Sequence, residues 1–264
     1  MTGLLALRNA FWLSTTSAEI ILLVYLLKRR MRGTHLAFIV YIAATILQSA
    51  LAVWIYTQWG YQSSIASNVI WSSQGILICL RFTAVYEMAN RILSAYPGIW
   101  SLAKRLIGMI GLGTLGYSLL IAKKELYVLV ISLDRGLELA IAAFVVALLL
   151  FARYYLLPVQ PLDRALAIGF CMYSCFYVIN DSLFEKYLES YLSLWGYLDI
   201  LTFLASLLIW MQAVKVYSRA FSPAPDRASI PAVVYGTISP ELNYRLKHLN
   251  EQISQLLHAG NPRS

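Results

Sequence analysis

Ionisable side chains are thinly scattered through this chain, and several fall where water is scarce. Glu19, Arg81, Asp134, Glu138 and Asp199 each sit inside a long apolar run, with Asp181 at the edge of another. Placing such a group in hydrocarbon costs at least ~2.5–3.5 kcal/mol on insertion scales, so each needs a partner or a task. Helical spacing gathers them with other polar residues. Asn9, Trp12, Thr16 and Glu19 form one stripe, and Asp199, Thr202 and Ser206 form another. Gln74 and Arg81 are seven residues apart, Thr45 and Gln48 three. Lipid cannot satisfy such stripes, so they face inward. The chemistry this points to is recognition, in a polar cavity lined by Glu19, Gln48, Gln74, Arg81, Glu138 and Asp199. The plainer expectation is that Arg81 pairs with one acidic residue while the other polar groups hydrogen-bond between helices.

Other chemistries lack their residues. His35, His248 and His258 all lie outside the apolar runs, so the bilayer holds no imidazole set for a zinc hydrolase or a haem. No metal site and no cofactor are expected. A retinal protein needs a lysine near the middle of its last helix, whereas the last run offers Lys215 at its very end. No Ser–His or Cys–His pair can meet within the membrane, and neither a P-loop nor a dinucleotide fingerprint occurs. No catalytic residue is assigned, and the chain is expected not to be an enzyme. Cys79, Cys171 and Cys175 lie inside apolar runs. The last two share a helix face, where packing is the expected role because a thiolate would be costly there.

The elements that must hold these residues follow from hydropathy. Of 264 residues, 59% are hydrophobic and 13% charged. That is roughly half the ~25% of charged residues found in soluble domains, which excludes a soluble enzyme, a secreted disulfide module and a disordered chain. Seven apolar segments, at about 10–27, 36–57, 68–89, 102–122, 127–152, 164–184 and 194–216, have the length that crosses a bilayer as a helix. The fold class expected is all-α: a polytopic seven-transmembrane-helix bundle. The first segment runs directly into Lys28, Arg29, Arg30 and Arg32 without a small-residue cleavage site, so it reads as a retained helix and not a signal peptide.

Loop charges set the orientation. The loops after segments one, three and five hold Lys28, Arg29, Arg30 and Arg32, then Arg91, Lys104 and Arg105, then Arg153 and Arg164. The alternate loops are uncharged, mixed or mostly acidic. The positive-inside rule therefore puts the N-terminus outside and the C-terminus in the cytoplasm. Trp54, Trp59, Tyr61, Tyr191, Trp195 and Tyr197 cluster at the outer ends as an aromatic belt would. The formal net charge of +8 is thus mainly a topology signal; the expected partner is the lipid bilayer, and no nucleic acid is expected. Glu87 stands four residues before Arg91, the favoured order for a helical ion pair. Gly108, Gly111, Gly113 and Gly116 in segment four are expected to permit close helix packing.

Residues 1–217 form the transmembrane domain, and composition changes after it. Residues 218–240 contain Pro223, Pro225, Pro231 and Pro240 and read as an extended linker. Residues 241–258 read as a short amphipathic cytoplasmic helix with Leu242, Leu246, Leu249, Ile253 and Leu256 at heptad spacing. Glu241 and Glu251 balance Arg245 and Lys247, which favours a cytoplasmic protein partner or self-association over a membrane surface.

The stretch Val85-Tyr86-Glu87-Met88, then Tyr96-Pro97-Gly98 and Lys104-Arg105, resembles a group of uncharacterised bacterial seven-helix integral membrane proteins, with a Tyr-Glu near the end of span three and a Tyr-Pro loop after it. The resemblance covers spans one to seven. It implies a multi-pass protein of the cell membrane, the bacterial inner membrane, and carries no activity. More distantly, the layout is similar to the seven-helix input modules that precede bacterial kinases, an analogy of fold alone. The functional expectation is a sensory or signal-transducing protein that binds a small ligand in an outward-facing polar cavity. The alternatives are a secondary transporter using intramembrane carboxylates, and a membrane scaffold.

Overall fold

A computed structural model of the chain describes residues 2–28, 34–60, 63–94, 96–122, 126–155, 157, 159–187, 192–220, 244–245 and 247–256, with side chains described throughout these except at 2–9, 180–187, 192–197, 199 and 217–220. The described residues form helices and no strand. In chain order these are α1 (Thr2–Lys28), α2 (Leu36–Trp59), α3 (Ser64–Leu93), α4 (Pro97–Ile121), α5 (Leu126–Tyr154), α6 (Pro161–Tyr187) and α7 (Leu192–Ala220). A further helical stretch runs through 247–256. The Pro-rich linker expected at 218–240 lies outside the described residues beyond position 220.

Among the described residues, six helices are long and apolar enough to cross a membrane: α1 from Ala10 to Lys28, α2, α3, α4, α5, and α6 from Pro161 to Ile179. The described apolar stretch of α7, Ile200–Val216, is shorter. The chain is therefore an all-α, multi-pass membrane protein. Polar residues inside these helices are tolerated because many turn their protons onto the carbonyl one turn earlier: Ser14 to Ala10, Thr15 to Phe11, Thr83 to Cys79, Thr114 to Ile110 and Thr202 to Leu198.

Helices α1, α2, α3, α5, α6 and α7 close a ring, with α1 meeting α7 and α3 reaching across to α6. Helix α4 stands outside this ring, packed mainly on α5. Its glycines depart from expectation. Gly108, Gly113 and Gly116 face open space, and Gly111 touches the Phe82 ring at ordinary van der Waals distance, 3.5 Å. Close approach is instead made by glycines of other helices. A side chain at Gly136 of α5 would collide with Thr114 of α4, and one at Gly169 of α6 with the indole of Trp210 of α7. A peripheral helix meets neighbours on one side, so most of its circumference belongs to lipid.

The two ends of the ring differ. The end bearing Lys28, Arg91, Arg153 and Arg164, here the basic end, is filled by apolar side chains. Phe38, Phe170 and Trp210 form a triad with ring centroids 5.0–6.0 Å apart, embedded among Leu22, Leu26, Met88, Val145 and Leu166. Two polar clasps tie this end. The Glu87 carboxylate accepts from the Leu36 and Ala37 amides (3.0 and 2.9 Å), capping α2 from α3, a role beyond its expected pairing with Arg91 (3.5 Å). Orphan N–H groups and the positive pole of the helix draw a carboxylate there. Arg91 in turn donates to Asp163 of α6 (2.8 Å) and the Thr34 carbonyl (2.5 Å). The opposite end carries Trp54 stacked edge-on against Trp59 (5.3 Å); it is the aromatic end, and its interior is hollow.

Candidate functional site

The hollow is a cavity of about 280 Å³, near the lower edge of the ~300–1,000 Å³ typical of small-molecule sites. Five helices wall it: Trp12, Thr15, Thr16 and Glu19 from α1; Tyr41, Thr45, Gln48 and Ser49 from α2; Gln74, Leu77 and Arg81 from α3; Tyr173 and Tyr177 from α6; Ile200 and Phe203 from α7. Each group recurs at three- and four-residue spacing, which keeps it on one helix face. Tyr41 lies 6.0 Å from Phe170, so the cavity floor rests directly on the aromatic triad.

Arg81 organises the floor. It is 4% exposed. Its Nε donates to the Tyr41 hydroxyl (3.2 Å), one terminal nitrogen is paired with the Glu138 carboxylate, and Asp134 stands 3.9 Å away. The guanidinium lies over the rings of Tyr173 (4.7 Å) and Tyr41 (5.6 Å). Both carboxylates are themselves held. Ser174 donates to Glu138, and Tyr177 (2.8 Å) and Gln74 (3.5 Å) donate to Asp134. Gln48 joins the set by donating to Gln74 Oε1 (3.0 Å) and to the Ser73 hydroxyl (3.3 Å). Buried charge of this kind is stable when paired and hydrogen-bonded on several sides.

Glu19 is arranged otherwise. It is 3% exposed, lines the cavity, and its Oε2 has no hydrogen-bond partner among the described residues. Thr45 is a polar neighbour, yet the Thr45 hydroxyl turns its proton to the Ile42 carbonyl (2.8 Å). A buried carboxylate oxygen without a donor is costly, and here it borders empty space.

Of the residues singled out from the sequence, Glu19, Gln48, Gln74 and Arg81 line this one cavity. Glu138 stands behind the wall as the partner of Arg81. The side chain of Asp199 lies outside the described residues, while its neighbours Ile200 and Phe203 reach the cavity. The plainer expectation for Arg81 is also met, since it pairs with Glu138 and faces Asp134 besides. Sequence reasoning missed Tyr41, Tyr173 and Tyr177. Their signal was present: Tyr41, Thr45 and Gln48 share a face of α2, and Tyr173 and Tyr177 are one turn apart. Tyrosines in an apolar span read as interfacial, however, unless their partners across the bundle are known. Cys171 and Cys175 sit with sulfurs 3.9 Å apart as free thiols, and among the described residues no His, Cys, Asp or Glu cluster suits a metal ion. No protein-family model matches this chain, and no curated protein or solved structure shows significant similarity to it.

Proposed function

We propose that this chain is a seven-span protein of the bacterial cell membrane, N-terminus outside and C-terminus cytoplasmic, that binds a small ligand in the cavity and signals through its C-terminal helix. It carries out no catalytic step. The observation that carries this reading is Glu19, a buried carboxylate at the cavity wall whose Oε2 has no hydrogen-bond partner among the described residues. Charge placement supports the orientation: Arg91, Lys104, Arg105, Arg153 and Arg164 gather at the end opposite Trp54 and Trp59. The packing of α7 against both α6 and α1 supports counting it as the seventh span.

The output rests on where the tail docks. Asn250 Oδ1 accepts from the backbone N–H groups of Gly98 (2.7 Å) and Ile99 (3.3 Å), so the tail caps the start of α4. Pro97 occupies the first turn of α4, and no side chain of the N-cap residue Tyr96 bonds there. Ile253 packs on the edge of the apolar core, while Leu256 is left 73% exposed. Of the heptad residues, Ile253 is thus engaged within the chain and becomes available to a protein partner or a second copy when the tail lifts. Leu242 and Leu246 lie outside the described residues.

The rival reading is a secondary transporter, which the unpartnered Glu19 also favours because a coupling proton needs such a group. Cysteine accessibility tests the cavity. In a chain with Cys79, Cys171 and Cys175 replaced by Ala, Thr16→Cys and Gln48→Cys are expected to react with a membrane-impermeant maleimide added outside intact cells. Absence of labelling, or labelling only in inverted vesicles, would sink the outward-facing cavity. Labelling from both sides, with flux of a solute that survives removal of residues 239–264, would favour transport.

A further inference from the structure

The hydrogen-bonding groups around the cavity are unequally used. Several of its donors are directed into the protein: Gln48 Nε2 to Gln74 and Ser73, Gln74 Nε2 toward Asp134, Arg81 Nε to Tyr41, and the Tyr177 hydroxyl to Asp134. The Thr15 and Thr45 hydroxyls donate to the Phe11 and Ile42 carbonyls. What these groups leave toward the space is acceptor capacity, the Thr15 and Thr45 oxygen lone pairs and above all Glu19 Oε2. Charge runs the same way. Arg81 faces two carboxylates, Glu138 and Asp134, and Glu19 adds a third. An anion entering here meets a guanidinium that is already neutralised, and a carboxylate that repels it.

The apolar part of the wall completes the pattern. Trp12 lies two turns before Glu19 on the same face of α1, and Phe203 of α7 borders the same space. Tyr41 and Tyr173 already carry the Arg81 guanidinium on their rings; neither Trp12 nor Phe203 carries a cation among the described residues. An aromatic face beside a carboxylate is a good environment for a desolvated ammonium group. Building on the ligand-binding reading of this cavity, we propose that its ligand is a small organic cation: a primary ammonium on a short apolar or aromatic stem. The ammonium sits on the Glu19 carboxylate, with its remaining protons toward the threonine oxygens, and the stem lies against Trp12 and Phe203. A cavity of about 280 Å³ limits the stem to a single ring or a short chain.

Isothermal titration of the full chain in lipid nanodiscs tests this, with empty nanodiscs subtracted. The probes are three near-isosteres: 2-phenylethylammonium, 2-phenylethanol and 3-phenylpropionate. The ammonium is expected to bind saturably and the other two to bind at least tenfold more weakly. Glu19→Gln should weaken ammonium binding by about tenfold to a hundredfold, the range for a charge-assisted hydrogen bond. Glu19→Asp, which keeps the charge, should retain more of the affinity; both variants must show the unfolding midpoint of the parent. Equal or tighter binding of the alcohol or the carboxylate overturns the cation while leaving the cavity a ligand site. Undiminished ammonium binding by Glu19→Gln overturns it too. Binding of none of the three overturns the cation as well, and the labelling of cysteines at 16 and 48 then reports separately whether the cavity is open.

Discussion

The two ends of the helix ring solve opposite problems with the same six helices. Beneath its polar clasps the core of the basic end is joined by shape: Trp210, Phe38 and Phe170 interlock, and Gly169 lets α6 approach the Trp210 indole. At the aromatic end they are joined by charge and hydrogen bonds around Arg81, and space is left over. The difference separates residues that hold the fold from residues that are free to do something else. Arg81, Asp134 and Glu138 are buried ionisable groups with partners, and so are structural. Glu19 is buried to the same degree, yet its Oε2 has no hydrogen-bond partner among the described residues.

Breaking the charge network should give the largest effect. Glu138→Leu strands the Arg81 guanidinium with Asp134 at 3.9 Å and is expected to cost ~3–5 kcal/mol of stability, the usual result of removing one partner of a buried pair. Arg81→Leu combined with Glu138→Leu should recover part of that loss, because no stranded guanidinium then remains. Unfolding in mixed micelles, followed by circular dichroism, measures both. Equal losses in the single and double variants would mean that the aromatic end is held by packing after all, and the contrast between the ends would dissolve.

The basic end should respond to volume instead. Gly169→Ala drives a Cβ into the Trp210 indole and is expected to cost ~1–3 kcal/mol, as overpacking does. Trp210→Phe in the same chain should relieve part of it. A neutral Gly169→Ala in the same unfolding assay would show that α6 and α7 slide freely, and that the dry half is not the rigid one.

The ease of reading each half from sequence differs for a physical reason. Apolar runs of span length are a local property, so α2 to α6 were legible to within about five residues of their observed ends, while α1 begins eight residues earlier than its apolar run suggested. Glu19, Gln48, Gln74 and Arg81 were legible as a group, because polar residues in a lipid-embedded helix have one direction to face. The partners of Arg81 were not: which of Glu138 and Asp134 it meets depends on how α3 and α5 cross. Glu87 shows the same limit. Its i, i+4 pairing with Arg91 is local and was expected, whereas capping α2 depends on a neighbouring helix end. Gly108, Gly111, Gly113 and Gly116 of α4 misled because glycine spacing says nothing about whether a helix has a neighbour on that side.

The tail is a third, weaker joint, and it can be tested apart from both halves. Asn250→Ala removes the acceptor for the Gly98 and Ile99 amides, and a lost cap costs about 0.5–2 kcal/mol. That cost should fall on the docking of residues 247–256, leaving the bundle untouched. Faster amide exchange at 98–99 and along 247–256, with an unchanged global unfolding midpoint, is the expected result. Gly98→Ala should do the same, since its Cβ would meet Asn250. A fall in the global midpoint would make the tail part of the fold and remove its claim to be a movable output.

Glu19→Gln should give the smallest effect on stability, and the sharpest statement of the contrast. A partnered carboxylate stabilises its surroundings, so neutralising it costs free energy. An unpartnered one is a liability already present in the native state, so neutralising it costs little and relieves some desolvation. The unfolding midpoint of Glu19→Gln is therefore expected at or slightly above that of the parent, within about 0.5 kcal/mol, the usual range for a change that breaks no structural contact. Glu138→Gln, chemically the same substitution on α5, should be clearly destabilising, because it removes the charge that faces Arg81. If Glu19→Gln proved as destabilising as Glu138→Gln, then Glu19 would have to hold a partner in the bilayer, and the cavity would lose the residue that marks it as a site.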